Sequence, residues 1–232
     1  LTSEHQLNAV RSMNLVSALP IIVDGDTGYG DVNNVIHTVK TFERAGAEGI
    51  CIEDKTFPKK NSFMESSHAQ VPIKEFVGKI KAAVDHREDP NFIIIARVES
   101  LIAKRGQEDA MKRAKAYSKA GADAILIHSK ETTSKEIVEF SNNWDEKTPL
   151  VIVPTTYRLL LEEIKDLKKI KIVIFANHGL RASVNAVKNT LKQIINDGTT
   201  RKVEDKICSV QEVFRIQNTE KIKQTLRKYN ED

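Results

Sequence analysis

The chain predicts an α/β fold built as a parallel (β/α)8 barrel, and three observations lead there. Short Ile- and Val-rich runs recur without the alternation of a half-exposed strand, as strands buried on both faces do. A segment of helical periodicity follows each run, so strands and helices alternate and the strands must run parallel. Each run also stops at a chemically capable side chain: Asp24, Glu53, Arg97, His128, Thr155 and Asn177. A doubly wound sheet would spread those side chains along an edge and share a crevice only at its switch point. A barrel brings them to one face, where barrel active sites lie. Six units are visible, two short of eight, and the C-terminal tail carries no strand. The expectation is that the first two units, roughly 50–60 residues, precede the Leu-Thr-Ser start.

The elements follow in order. Residues 1–18 read as a helix with Leu7, Val10, Met13 and Leu15 on its apolar face. The run Pro20 to Val23 is the first strand, ending at Asp24 within the stretch DGDTGYGD. Asp26, two residues on, should face the same way, because strand side chains repeat every two residues. Asp31 is the expected N-cap of a helix striped by Val32, Val35, Ile36, Val39 and Phe42, with Gly46 as its stop. The run Gly49 to Ile52 meets Glu53-Asp54-Lys55, and a polar segment from Thr56 to Gln70 leads to a helix carrying Phe76, Ile80, Ala83 and Val84. Four more units follow, with strands at Phe92 to Ala96, Ala124 to Ile127, Leu150 to Val153 and Ile172 to Ala176. Their helices are expected at about 107–119, 135–142, 159–167 and 182–195. Residues 203–230 read as two helices, a tail on one catalytic barrel domain spanning 1–232.

Composition narrows the function classes. With 232 residues, 40% of them hydrophobic, the chain can bury one sizeable core. Its net charge of +4 is spread along helices beside acidic neighbours, which argues for a solvated surface and against a nucleic-acid footprint. No apolar run is long enough for a bilayer span, and no signal peptide is visible. Cys51 and Cys208 lack metal-site or redox spacing, so reduced thiols in a cytoplasmic protein are expected, with Cys51 packed in a strand.

The acidic strand end is the first candidate site. Asp24 and Asp26, with Glu53 on the neighbouring strand, form an oxygen-rich set suited to Mg²⁺, which takes one or two carboxylates directly and keeps several waters. Helix capping is the alternative use of the two aspartates, and Asp31 is better placed for it. A dinucleotide loop is disfavoured, because Gly25 lies between two acids and the spacing is not G-x-G-x-x-G. For Arg97 two uses stand: an ion pair with Glu99, or a fork on an anionic substrate. His128 is either a hydrogen-bonded core histidine or a substrate contact. The Thr56 to Gln70 segment is long for a barrel connection and is a lid candidate with donors at Lys59, Asn61 and Ser62; a surface loop is the plainer alternative.

Taken together, DGDTGYG at 24–30, EDKTFPKKNS at 53–62, ARVES at 96–100, LIHSK at 126–130, IVPTTY at 152–157 and ANHGLRAS at 176–183 closely resemble the isocitrate lyase / phosphoenolpyruvate mutase superfamily. The resemblance covers essentially the whole chain, and EDK followed by NS is the mark of the mutase branch. The C–C lyases carry a Lys-Arg-Cys-Gly-His motif in that loop, and no cysteine stands there in this sequence. The resemblance implies a Mg²⁺-dependent interconversion of phosphoenolpyruvate and phosphonopyruvate. It implies Asp24 as the direct metal ligand, Asp26 and Glu53 supporting through water, and Arg97 and His128 as substrate contacts. Lys59, Asn61 and Ser62 belong to a gating loop, with Asn61 steering the phosphoryl group. It further implies a homodimer or homotetramer with C-terminal helices exchanged between subunits. The family also places a phosphoryl-holding loop and a further metal-supporting aspartate in its first two strand units, upstream of this chain. Phosphonopyruvate hydrolase, a C–C lyase or oxaloacetate hydrolase, and a non-catalytic barrel fragment remain as alternatives.

Overall fold

Among the described residues, six parallel strands pair in strict chain order. They are β1 (Ile22–Asp24), β2 (Gly49–Glu53), β3 (Ile93–Val98), β4 (Ala124–Ile127), β5 (Leu150–Ile152) and β6 (Ile170–Val173). The helices are α1 (Ser3–Asn14), α2 (Val32–Arg44), α3 (Ile73–His86), α4 (Gly106–Lys119), α5 (Lys135–Asn143), α6 (Leu161–Asp166), α7 (His178–Asp197), α8 (Val210–Ile216) and α9 (Thr219–Asn230). This computed structural model describes residues 3–59, 61–62, 69–158 and 161–230. The chain falls into two compact units, Leu1–Ala176 and Asn177–Asp232.

In a strand order that never reverses, each right-handed crossover returns its helix to the same face of the sheet. Burial follows that rule. Ile50, Ile52, Ile94, Ala96, Ile125, Ile127 and Ile152 join Val39, Phe42, Phe76, Ile80, Tyr117 and Phe140 of the helices in one core. Residues one step out of phase, Cys51, Ile95, Ala124, Leu126, Val151 and Val153, form a smaller cluster on the other face. The result is a parallel half-barrel wall with a helix layer outside and an aliphatic lining inside.

Several boundaries differ from the sequence expectation. α1 ends at Asn14 and buries Leu7 and Val10, whereas Met13 (46% exposed) and Leu15 (86% exposed) face solvent. β1 is one of the two edge strands, and within it only Val23 is buried, so it is not covered on both faces. β6 is Ile170–Val173, beginning two residues before and ending three residues before the expected bounds, and its pairing with β5 shifts register between Leu150 and Val151. Residues 159–160, the expected start of α6, lie outside the described residues. Asp31 caps α2 as expected: its carboxylate accepts from the backbone N–H of Asn33 and Asn34, and the Asn34 side chain returns a bond to the Asp31 N–H.

Asp54, one residue after β2, faces the helix layer and is fully buried. Its carboxylate accepts from Tyr117 Oη at 2.7 Å, from Gln70 Nε2 at 3.0 Å, from Arg113 Nη1 at 3.2 Å and from the Glu99 backbone N–H at 3.0 Å. Burial raises its pKa above the ordinary value, and these bonds pull against that rise. The bonds join β2, the 56–70 segment, β3 and α4 at one carboxylate. Asp54→Ala leaves Arg113 with only the Asp109 ion pair at 3.0 Å among the described contacts and takes the buried acceptor from Tyr117 and from the Glu99 N–H. It should lower unfolding stability by about 3–5 kcal/mol, read from urea denaturation.

Candidate active site

Register and parity assemble the site. Asp24 pairs with Cys51 across β1 and β2, and Glu53 pairs with Arg97 across β2 and β3. Cys51 and Ile95 line the inner face, so Asp24, Glu53 and Arg97 share that face, and His128 follows Leu126 on β4. Each inner-facing position then gains a polar neighbour two residues on: Asp26 after Asp24, Lys55 after Glu53, Glu99 after Arg97.

Asp26 reaches the site by a turn rather than by strand alternation. Its φ is 56°, so the strand has already ended there. Its N–H donates to Asp24 Oδ1 at 3.0 Å, and its carbonyl accepts from the Glu53 N–H at 2.8 Å. This turn hooks the β1 loop over the end of β2. Gly28, at φ +83°, lets the loop close on α2; a Cβ there would lie 2.4 Å from Val35 Cγ2.

Two cationic centres balance the carboxylates. Lys59 Nζ lies 3.7 Å from Asp24 Oδ1, 3.4 Å from Asp26 Oδ2 and 3.4 Å from Glu53 Oε2. Burial works against its ammonium, but Glu53, Asp24 and Asp26 overcome that and leave its pKa raised. The second centre surrounds Glu99, which is fully buried. Glu99 Oε1 accepts from Arg97 Nε and lies 2.8 Å from His128 Nδ1, and Oε2 pairs with Lys55 Nζ at 2.9 Å. Burial opposes its charge, yet Arg97, His128 and Lys55 hold its pKa well below the carboxylate range. Glu53 behaves oppositely: burial raises its pKa, and Arg97 only partly offsets this. Arg97 also approaches Glu53 Oε2 at 3.3 Å, and its pKa is raised because Glu99 and Glu53 outweigh its burial.

The geometry thus brings together Asp24, Asp26, Glu53, Lys59, Arg97 and His128. Arg97 forms the ion pair with Glu99 that its sequence context allowed. Ser62 is buried, accepting from Lys55 Nζ at 2.6 Å and donating to Glu99 Oε2 at 3.2 Å. Asn61 is exposed beside it. The rest of the expected lid, Lys60 and residues 63–68, lies outside the described residues, while its base is closed by a bridge between Lys55 and Gln70. Thr155 makes no bond to this cluster among the described contacts, and Asn177 belongs to the second unit. Sequence reasoning did not single out Lys55 and Glu99 as site residues. The signal was there in the period of two, since each stands two positions beyond a strand-end charge.

A half-barrel of sequential parallel strands with acids, an arginine and a histidine at one end is the arrangement of an α/β-barrel enzyme acting on a small molecule. The chain belongs to the phosphoenolpyruvate phosphomutase family, whose model matches residues 1–195. It is 43% identical over 224 residues to the phosphoenolpyruvate phosphomutase of Tetrahymena pyriformis, covering 96% of this chain and 75% of that one. The solved phosphoenolpyruvate phosphomutase from Streptomyces platensis subsp. rosaceus superimposes with a TM-score of 0.95 at 40% identity, over 99% of this chain and 80% of that one. A phosphonopyruvate hydrolase solved with oxalate and Mg²⁺ matches at TM-score 0.92 and 43% identity, over 99% of this chain and 79% of that one. The protein is an enzyme of this type.

Burial lowers the His128 pKa below its ordinary value, and the Glu99 bond only partly restores it. The unfolded chain therefore takes up this proton first as pH falls from about 6.5, and folding stability is lost from there downward. His128→Gln should flatten that loss by at most about 1.4 kcal/mol per pH unit, measured by urea midpoints at pH 7.5 and 5.5.

Proposed function

We propose that the chain is a Mg²⁺-dependent phosphoenolpyruvate mutase, interconverting phosphoenolpyruvate and phosphonopyruvate and so making the C–P bond of phosphonate biosynthesis. The observation that carries the proposal is the gathering of Asp24, Asp26 and Glu53 around one ammonium, beside Arg97 and His128. The donor set is all oxygen and carries surplus negative charge, which suits a hard divalent cation. Among the described residues, Glu53 Oε1 is buried and accepts no hydrogen bond, with Lys55 Nζ 3.7 Å away, which leaves it an acceptor that a hydrated cation could complete. Among the described residues no three acidic, histidine or cysteine side chains converge as a direct ligand set. As the family resemblance implies, Asp24 is the direct ligand, with Asp26 and Glu53 acting through water. Bound there, magnesium would supply charge stabilisation for the pyruvate-like end of the substrate.

The chain's own residues do the rest. Arg97 and His128 orient the anionic substrate. Lys59, Asn61 and Ser62 face the phosphoryl group: Asn61 steers it, and Ser62 is held by Lys55 and Glu99. The phosphoryl group leaves the enol oxygen and joins C3 of the same skeleton. One P–O bond breaks, one P–C bond forms, and no water is consumed. Such a transfer is loose, so catalysis is mainly positioning and charge stabilisation. Excluding water is what separates this outcome from hydrolysis. Phosphonopyruvate hydrolase is the second reading, favoured by the 43% identity to the solved hydrolase. The Asn61-Ser62 pair, which resembles the mutase mark, favours the first.

The wider proposal follows the same resemblance. The half-barrel belongs to an eight-stranded barrel, and the greater length of the relatives accommodates two further units. A homodimer or homotetramer with exchanged C-terminal helices is supported by Leu180, Val184, Val187, Leu191 and Ile195, exposed at helical spacing on α7. A cytoplasmic location accords with two free cysteines, Cys51 and Cys208. No described helix is long and apolar enough to cross a membrane.

Phosphorus NMR of phosphonopyruvate with the full-length protein and Mg²⁺ should show phosphoenolpyruvate. Inorganic phosphate alone would make the enzyme a hydrolase, and Asp24→Ala should abolish turnover; full activity in that variant would remove the metal assignment. Lys59 competes with a cation for the same oxygens, so Lys59→Met should tighten Mg²⁺ binding about tenfold by calorimetry on the substrate-free protein.

A further inference from the structure

We propose that Glu99 is a positioning residue that couples the seating of Ser62 to the orientation of Arg97 and His128. Its two carboxylate oxygens are divided between two groups of partners. Oε1 serves the substrate-facing pair, accepting from Arg97 Nε and standing 2.8 Å from His128 Nδ1. Oε2 serves the segment after β2, at 2.9 Å from Lys55 Nζ and 3.2 Å from Ser62 Oγ. Lys55 closes the triangle by donating to Ser62 Oγ at 2.6 Å. A carboxylate is planar and rigid, so it cannot turn toward one set of partners without turning from the other.

The carboxylate has no freedom to absorb such a movement elsewhere. Glu99 is fully buried, and its backbone N–H is tied to Asp54 Oδ1 at 3.0 Å. Its carbonyl accepts from the Ala103 N–H at 2.9 Å. With the main chain held at both ends, displacement of Ser62 is relieved by rotation of the carboxyl group. That rotation carries Oε1 away from Arg97 and His128. His128 Nδ1 also lies 2.8 Å from Arg97 Nη2, and one nitrogen cannot donate to Glu99 and accept from Arg97 at once. The position of Oε1 therefore decides which of the two bonds His128 makes. Seating Ser62 sets the substrate grip through one side chain, and by linkage the grip sets Ser62.

The kinetic part of this inference rests on the proposed mutase reaction; the structural part does not. The test uses two readouts on the full chain. The first is the rate of trypsin cleavage after Lys59 without substrate, which reports how firmly the segment carrying Ser62 is seated. Glu99→Gln removes the charge at nearly constant shape and should speed cleavage about tenfold, the scale of a lost charge-assisted bond. Arg97→Lys, which touches neither Ser62 nor Lys55, should also speed it. The second readout is turnover of phosphonopyruvate, where adding Ser62→Ala to Glu99→Gln should cost far less than the product of the single effects. Unchanged cleavage in both Glu99→Gln and Arg97→Lys would overturn the coupling, as would fully multiplicative losses of turnover. If Glu99→Gln does not fold, Arg97→Lys decides the matter through cleavage alone. If the wild-type chain shows no turnover, the mutase proposal fails, while the substrate-free arm still decides this one.

Discussion

The structure depends on placing four carboxylates, Asp24, Asp26, Glu53 and Glu99, at the same end of one sheet. Like charges so close repel one another unless cations of matching geometry stand between them. Lys55, Lys59 and Arg97 fill that role, and none of the three comes from the helix layer. The polar end of the half-barrel is thus built from strand termini and the segments leaving them. The apolar lining beneath it, Cys51, Ile95 and Leu126, excludes water from below and strengthens every charge pair above.

The parity of the strands organises both faces with the same few residues. Glu53 and Asp54 are neighbours in sequence yet point to opposite sides, one to the acidic cluster and one to Arg113 and Tyr117. The first joins the ion pairs of Lys59 and Arg97, and the second ties α4 to the sheet. Asp54 nevertheless serves the site, because its bond to the Glu99 N–H fixes where β3 gives up its hydrogen-bond ladder. A buried carboxylate in the outer layer thereby sets the geometry of one in the inner layer.

Much of this was legible in the sequence. Alternation of apolar runs with helical stripes located all six strands and the inner helices, because both periods are imposed by burial. Asp31, Gly46 and the strand-end charges were visible for local reasons of capping, turn conformation and the end of hydrophobic runs. The misses have one cause, which is dependence on partners far away in the chain. Met13 and Leu15 continue an apolar pattern, but Met13 lies in the last turn of α1 on an exposed side and Leu15 falls after the helix ends. Asp26 obeys the spacing rule for a strand that stops before it. Glu99 read as a local ion-pair partner for Arg97, and only the folded chain shows Lys55 and Ser62 reaching it from 44 and 37 positions away.

The interlocked charges also govern how such a site can change over time. Each of Glu53, Lys55, Arg97 and Glu99 is an ion-pair partner of at least two other residues. Replacing any one alone unbalances the charge of this network while leaving each charged partner another ion pair. Substitutions at these positions are therefore favoured in compensating sets that restore the balance.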